Sequence, residues 1–231
     1  MSSNLREKTV RGVAWSFVER FSVQGVTFLL ELVIARIIGP KSYGLIAMLA
    51  IFMAVSQVFI DGGFSSALIQ RKQRDESDFS TVFYINLGIS ILAYLALYAA
   101  APAIAAFFEQ PLLCDITRVY SLTLVINSLV AVGKTKLTIA VDFKTQSKIS
   151  FLSALLSGLA GLAMALMGWG VWSLVWQAIA LAVLNVLFTS RYVRWWPTTR
   201  FSRQAFGRLF AFGSKLLVPR SSAAFIRAST I

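Results

Sequence analysis

The sequence predicts an all-α, polytopic membrane protein, with one six-helix transmembrane bundle plus a partial seventh helix. Three observations predict it. Apolar residues make up 57% of the 231 residues and charged residues only 14%, where a soluble domain carries about 25% charged residues. So few charges cannot cover a globular surface with solvated side chains, and the mean hydropathy is +0.72. Six apolar runs approach the roughly 20 residues that cross a hydrocarbon core of about 30 Å. Basic clusters alternate with base-poor connections along the chain. Together these exclude an ordinary cytosolic enzyme, a disordered tail and a small disulfide-built secreted domain.

The spans are expected, in order, at residues 12–38, 43–60, 79–101, 113–132, 149–167 and 170–192, and a seventh begins near Phe206. The first is too long, and too charged inside, for a cleaved signal peptide. Short turns at 39–42 and 168–170 make helical hairpins. No connection is long enough for a soluble domain. The expected organisation is therefore a bundle over 1–192, then a cytoplasmic basic loop and truncated seventh helix over 193–231.

Charge sets the orientation. The chain has 22 Lys+Arg against 10 Asp+Glu, a net charge of +12. Clusters lie at Arg6, Lys8 and Arg11, then at Arg71, Lys72 and Arg74. They return at Lys134, Lys136, Lys144 and Lys148, and again at Arg191, Arg194, Arg200, Arg203 and Arg208. The intervening connections are poor in base. By the positive-inside rule the N-terminus is cytoplasmic. Charge clustered between apolar runs also argues against a nucleic-acid partner, which calls for a solvated basic face. Trp169, Trp172 and Trp176, and then Trp195 and Trp196, fall where tryptophan favours the membrane interface.

Catalytic chemistry is not expected. The chain has no histidine, and Cys114 is its single cysteine. That removes an internal disulfide, a thiolate metal site and histidine acid–base chemistry. There is no nucleophile elbow or Walker loop. No catalytic residue, metal or cofactor is assigned. Asp75, Glu76 and Asp78, beside Arg71, Lys72 and Arg74, read as a solvated charge cluster.

The first span carries the unusual pattern. Ser16, Arg20, Gln24, Thr27 and Glu31 recur at i, i+4, i+8, i+11 and i+15, which keeps them on one helical face. A charged side chain near a bilayer centre costs about 2.5–3.5 kcal/mol on insertion scales. The stripe therefore reads as cavity-lining, with Arg20, Gln24, Thr27 and Glu31 as candidate contacts for a charged solute. A structural ion pair or snorkelling is the blander account. Glu19 and Arg36 lie off this face, and Arg36 reads as an interface anchor.

Weaker stripes follow. Asn86, Ser90 and Tyr94 share a face, as do Tyr120, Thr123, Asn127 and Lys134; Gln177 and Asn185 lie on the sixth span. Interhelical hydrogen bonds explain these first, and Lys134 reads first as a topology charge and second as a ligand contact. Ser153, Ser157, Gly161 and Ala165 form a small-residue ladder for close helix packing. Asp61-Gly62-Gly63-Phe64 reads as a helix break at the interface, with a hinge or a protonatable Asp61 as the functional alternative.

Six segments taken together carry a family likeness. They are RGVAWS at 11–16, ARIIGPKSYGL at 35–45, DGGFSSALIQ at 61–70, APAIAAFF at 101–108, GWGVWSLV at 168–175 and FAFG at 210–213. In this order and spacing they resemble the oligosaccharide (polysaccharide) flippase family of the multidrug/oligosaccharidyl-lipid/polysaccharide exporter superfamily. The likeness is to its lipopolysaccharide-biosynthesis or colanic-acid-exporter branch, over about residues 5–217. Members usually hold twelve or more spans in two bundles, and this chain resembles the first bundle. Past Leu217 the likeness is expected to stop, as an interrupted or frameshifted reading frame would produce.

The resemblance implies that the intact protein moves an undecaprenyl-pyrophosphate-linked oligosaccharide across the bacterial inner membrane. Arg20 is the first candidate for the pyrophosphate and Lys134 the second. Glu31 or Asp61 would couple transport to an ion gradient. A missing C-terminal half or a homodimer would complete the cavity. The alternatives are a drug or small-cation exporter of the same superfamily, with an acidic cavity, or a non-functional fragment. A membrane glycan polymerase fits less well, because it needs a sizeable outer loop.

Overall fold

The computed structural model describes residues 24–25, 27–61, 64–70, 75–197, 201–202 and 207. Among these there is no strand. The helices are α1 (27–38), α2 (Pro40–Asp61), α3 (Phe64–Gln70), α4 (Glu76–Phe107), α5 (Leu112–Tyr120), α6 (Leu122–Ile139), α7 (Phe143–Leu166) and α8 (Val171–Val193). Five segments are long and apolar enough to cross a membrane: Pro40–Ile60, Glu76–Phe107, Leu112–Ile139, Phe143–Leu166 and Val171–Val193. Of the other two expected spans, the first is described only from residue 24 onward, and the seventh, near Phe206, lies outside the described residues. An apolar surrounding offers the backbone no hydrogen-bond partners, so these runs satisfy their amides internally as helices.

Several boundaries differ from the expectation, each for a physical reason. α4 does not end near Ala101. It runs through Pro102 to Phe107, because the lost amide bond at one proline costs less than unwinding an apolar run. The fourth span is two helices meeting at Ser121, whose amide donates to Thr117 O at 3.0 Å. The basic connection expected around 134–148 is not a loop. Lys134 and Lys136 belong to α6, and Lys144 and Lys148 to α7. Only Ala140, Val141 and Asp142 connect these helices. Asp142 caps α7, accepting from the Thr145 amide at 3.1 Å and its hydroxyl at 2.6 Å.

The acidic cluster is not simply solvated. Asp78 is fully buried, and its carboxylate accepts from the Asp75 amide at 3.2 Å across the first turn of α4. Glu76 meets Lys136 of α6 at 2.8 Å and accepts from Trp195 Nε1. The Lys136 amine lies 4.6 Å from the Phe79 ring centre and 4.5 Å from that of Trp195, within cation–π range. Ser202 adds an amide donated to Thr81 Oγ1 at 3.2 Å. Trp195 and Ser202, both beyond α8, thus meet the start of α4.

Packing follows side-chain size. One apolar cluster joins α2, α4, α5, α6 and α8 through Leu49, Leu97, Ile116, Leu124 and Val175. A second, with Leu68, Phe79, Phe83 and Val132, joins α3, α4 and α6. α1 is held at Ile34, which is fully buried against Ala165 and Leu174. The small-residue ladder of α7 is a packing device: Ser153, Ser157 and Ala165 are buried. At Gly161 an added Cβ would come within 2.9 Å of Gln177 Cβ, so α7 and α8 approach too closely there for a side chain.

Candidate functional site

A cavity of about 520 Å³ opens among α2, α3, α5, α6 and α8. Its principal wall is the α5–α6 span, from which Tyr120, Thr123, Asn127 and Lys134 face the space. Their spacing of three, four and seven residues is helical periodicity. Asn185 of α8 stands on another wall, and Gln57 of α2 and Ser65 of α3 complete the polar lining. Val130, Ala131, Leu181 and Ala182 fill the remainder. The size suits a small ligand or one portion of a larger one.

The electrostatics are one-sided. Lys134 is half-buried, no Asp or Glu lines the cavity among the described residues, and none of those pairs with Lys134. An ammonium removed from water without a counter-charge is costly. The other polar groups are amides and hydroxyls, which both donate and accept. Thr123 Oγ1 donates to Tyr120 O at 2.7 Å. Asn185 Nδ2 donates to Leu181 O at 2.9 Å, while its Oδ1, buried in the wall, has no donor. The lining suits an anionic, hydroxyl-bearing group. Among the described residues no group of three or more His, Cys, Asp or Glu side chains comes together to hold a metal.

The expected site residues separate. Of those expected from the sequence, Lys134 lines the cavity. Thr27 is half-buried and Gln24 and Glu31 are exposed, and none of the three lines it. Glu31 instead offers its backbone carbonyl to the Tyr43 hydroxyl at 3.0 Å. At 100° per residue it lies about 60° around α1 from the buried Ile34, so Glu31 flanks the packed edge of that helix. Arg20 lies outside the described residues, as does the side chain of Asp61, which closes α2.

The weaker stripes also divide. Ser90 of α4 bonds Ser128 of α6 at 2.9 Å, the interhelical role expected of it. Gln177 packs at Gly161. The α6 stripe, by contrast, becomes a cavity wall. Its periodicity was the available signal, and Gln57 and Ser65 gave none, because only the tertiary fold brings them there.

Comparison with known proteins gives consistent matches. Residues 33–230 match the family described as polysaccharide biosynthesis protein. The likeness therefore does not stop at Leu217 as the sequence led us to expect. The chain is 26% identical over 216 residues to the succinoglycan biosynthesis transport protein ExoT of Rhizobium meliloti (strain 1021), covering 92% of this chain and 44% of that protein. It is 28% identical over 123 residues to the lipopolysaccharide biosynthesis protein WzxC of Escherichia coli (strain K12), covering 53% of this chain and 25% of the relative. It is 28% identical over 167 residues to the teichuronic acid biosynthesis protein TuaB of Bacillus subtilis (strain 168), covering 71% and 35%. The chain thus spans less than half the length of each of these relatives. No solved structure matches it.

Proposed function

This chain belongs to the polysaccharide biosynthesis protein family, and from that premise we propose that it forms the N-terminal bundle of a flippase that carries lipid-linked oligosaccharide across the bacterial inner membrane. The observation that carries the reading is Lys134, set without a carboxylate partner among the described residues in a polar cavity inside apolar helices. Intramembrane cations are costly and usually mark a solute pathway. A transport role is also what the name of the ExoT relative states for that protein.

In this reading the bundle over 1–192 is one wall of a larger cavity, with its N-terminus in the cytoplasm. A second bundle, or a second copy, supplies the other wall, and the two rock about the bound headgroup. The undecaprenyl tail stays in the bilayer. The pyrophosphate is met by Arg20, with Gln24 and Thr27 on the same face. Glu31 or Asp61 takes the coupling ion. A small-cation exporter fits less well, because no carboxylate lines the described cavity.

The test is complementation. A strain lacking its own exporter receives the full-length protein, and surface polymer and trapped lipid-linked oligosaccharide are measured. The wild type restores export, and Arg20→Ala lowers it. Unchanged export with Arg20→Ala at equal membrane abundance removes Arg20 from the pathway. Failure of the wild type to restore export, with the protein in the membrane, overturns the function.

A further inference from the structure

A second, water-sized cavity of about 20 Å³ lies beside the larger one. The larger cavity takes in Ala178 to Asn185 of α8, and the smaller takes in Val186 to Val193. Val130 of α6 lines both, so one side chain stands where they adjoin. The smaller cavity is the next compartment toward the end of α8.

Thr189 of its lining is buried, and its Oγ1 has no hydrogen-bond partner among the described residues. A buried hydroxyl is costly unless something satisfies it, and a space of this size holds about one water. On one side α6 and α8 close tightly, because a Cβ at Gly133 would come within 2.7 Å of Thr189 Cγ2. Beyond the end of α8 the wall is made by Trp195 and Trp196.

Trp195 is directed there by the chain and held there by the bundle. Arg194, just before it, takes a left-handed φ of +47°. A residue with a Cβ keeps that conformation where its surroundings hold it. The Trp195 ring meets Phe79 and Phe83 edge-on, with centroids 6.4 and 6.2 Å away. Its Nε1 donates to Glu76, and the Lys136 amine lies 4.5 Å from its ring centre. A bulky ring on a strained turn, clasped by a partly solvated ion pair, has the seat, the latch and the hinge of a movable part.

We infer that Trp195 is a stopper, with Arg194 as its hinge and the Glu76–Lys136 pair as its latch. Seated, it keeps water from reaching the polar face of α8 from this end of the bundle. Withdrawn, it opens a water path past Thr189 to Val130 and the larger cavity. The stopper does not depend on what the larger cavity carries, so it stands apart from the flippase reading.

The experiment measures thiol reactivity in the full-length protein, in nanodiscs, with every native cysteine replaced by serine. Thr189→Cys is treated with a small, charged, water-soluble methanethiosulfonate. A thiol reacts as its thiolate, which a dry apolar site suppresses, so the rate reads water at this position. With Trp195 in place the thiol is expected to react slowly, and Trp195→Ala should raise the rate at least about tenfold. Glu76→Gln combined with Lys136→Met frees the latch and keeps the ring. It should raise the rate by a smaller factor, and it decides the matter if Trp195→Ala does not fold. Ser153→Cys, at a buried position of α7 that lines neither cavity, should stay slow in every background. An unchanged rate at Thr189→Cys in the variant that folds overturns the assignment. So does a rate with Trp195 in place that equals that of the exposed Trp196→Cys. A parallel rise at Ser153→Cys also overturns it, because the bundle would then have loosened as a whole.

Discussion

Lys136 of α6 and Glu76 of α4 sit 2.8 Å apart, and the same Lys136 amine lies over the rings of Phe79 and Trp195. Three segments distant in sequence thus meet at one ammonium: the first turn of α4, the last turns of α6 and the chain beyond α8. The pair is partly solvated, with side-chain exposures of 24% and 43%, so its Coulomb attraction alone is small. The aromatic faces should contribute more.

A double-mutant cycle on Lys136→Met and Glu76→Gln should therefore give a coupling of about 1 kcal/mol or less. Trp195→Ala should cost about 1–3 kcal/mol, because it removes ring packing on Phe79 and Phe83 together with the cation–π contact. Unfolding in mixed micelles checks both values. A coupling well above that of Trp195→Ala would reverse the ranking.

The α7–α8 contact should not tolerate bulk at Gly161. A side chain there must displace Gln177, so Gly161→Leu is expected to destabilise the bundle by about 1–3 kcal/mol. The same change at Gly88, where nothing lies within 4 Å of an added Cβ, should have a much smaller effect. Thermal unfolding of the two variants side by side checks the contrast.

The Ser90–Ser128 hydrogen bond joins α4 to α6 inside the bundle. Measured interhelical bonds in membranes average about 0.6 kcal/mol. Ser90→Ala should therefore cost about that much, and the Ser90→Ala/Ser128→Ala double variant little more. Strongly additive losses in unfolding free energy would mean that the two hydroxyls do not act as a pair.

The cap on α7 should respond to acid. The Thr145 hydroxyl and amide hold the Asp142 carboxyl below its usual range, since both donate to the charged form. A lowered folded-state pKa stabilises above the unfolded value and is lost as pH falls through the folded one. Amide protection at Thr145 should thus be level near neutrality and fall below about pH 4. Asp142→Ala should weaken the helix start by about 1 kcal/mol at neutral pH and remove this acid step. Hydrogen exchange of α7 as a function of pH reads both.

How legible all this was depends on the range of the interaction. The apolar runs of α2, α4, α7 and α8 announce themselves, because spanning length and burial are local properties of the sequence. The continuation through Pro102 was not legible, since proline usually ends helices in water and the apolar surrounding reverses that balance. Lys134 and Lys136 looked like loop charges for a similar reason. Each is placed within α6 by a local context, a polar cavity for one and a Glu76–Trp195 clamp for the other. The wall of Tyr120, Thr123, Asn127 and Lys134 was visible as a stripe, but nothing in α6 alone says that Asn185 and Gln57 leave a space in front of it.

The most direct measurement of the central claim is a blocking test at the cavity wall. Asn127→Cys is introduced into full-length protein from which Cys114 and every cysteine outside these 231 residues have been replaced by serine, and intact cells are treated with a bulky membrane-permeant maleimide. Labelling is expected to proceed and polysaccharide export to fall in proportion, while the cysteine-free parent is unaffected. Complete labelling at Asn127→Cys with export unchanged would place the transport path elsewhere and contradict a cargo route through this cavity.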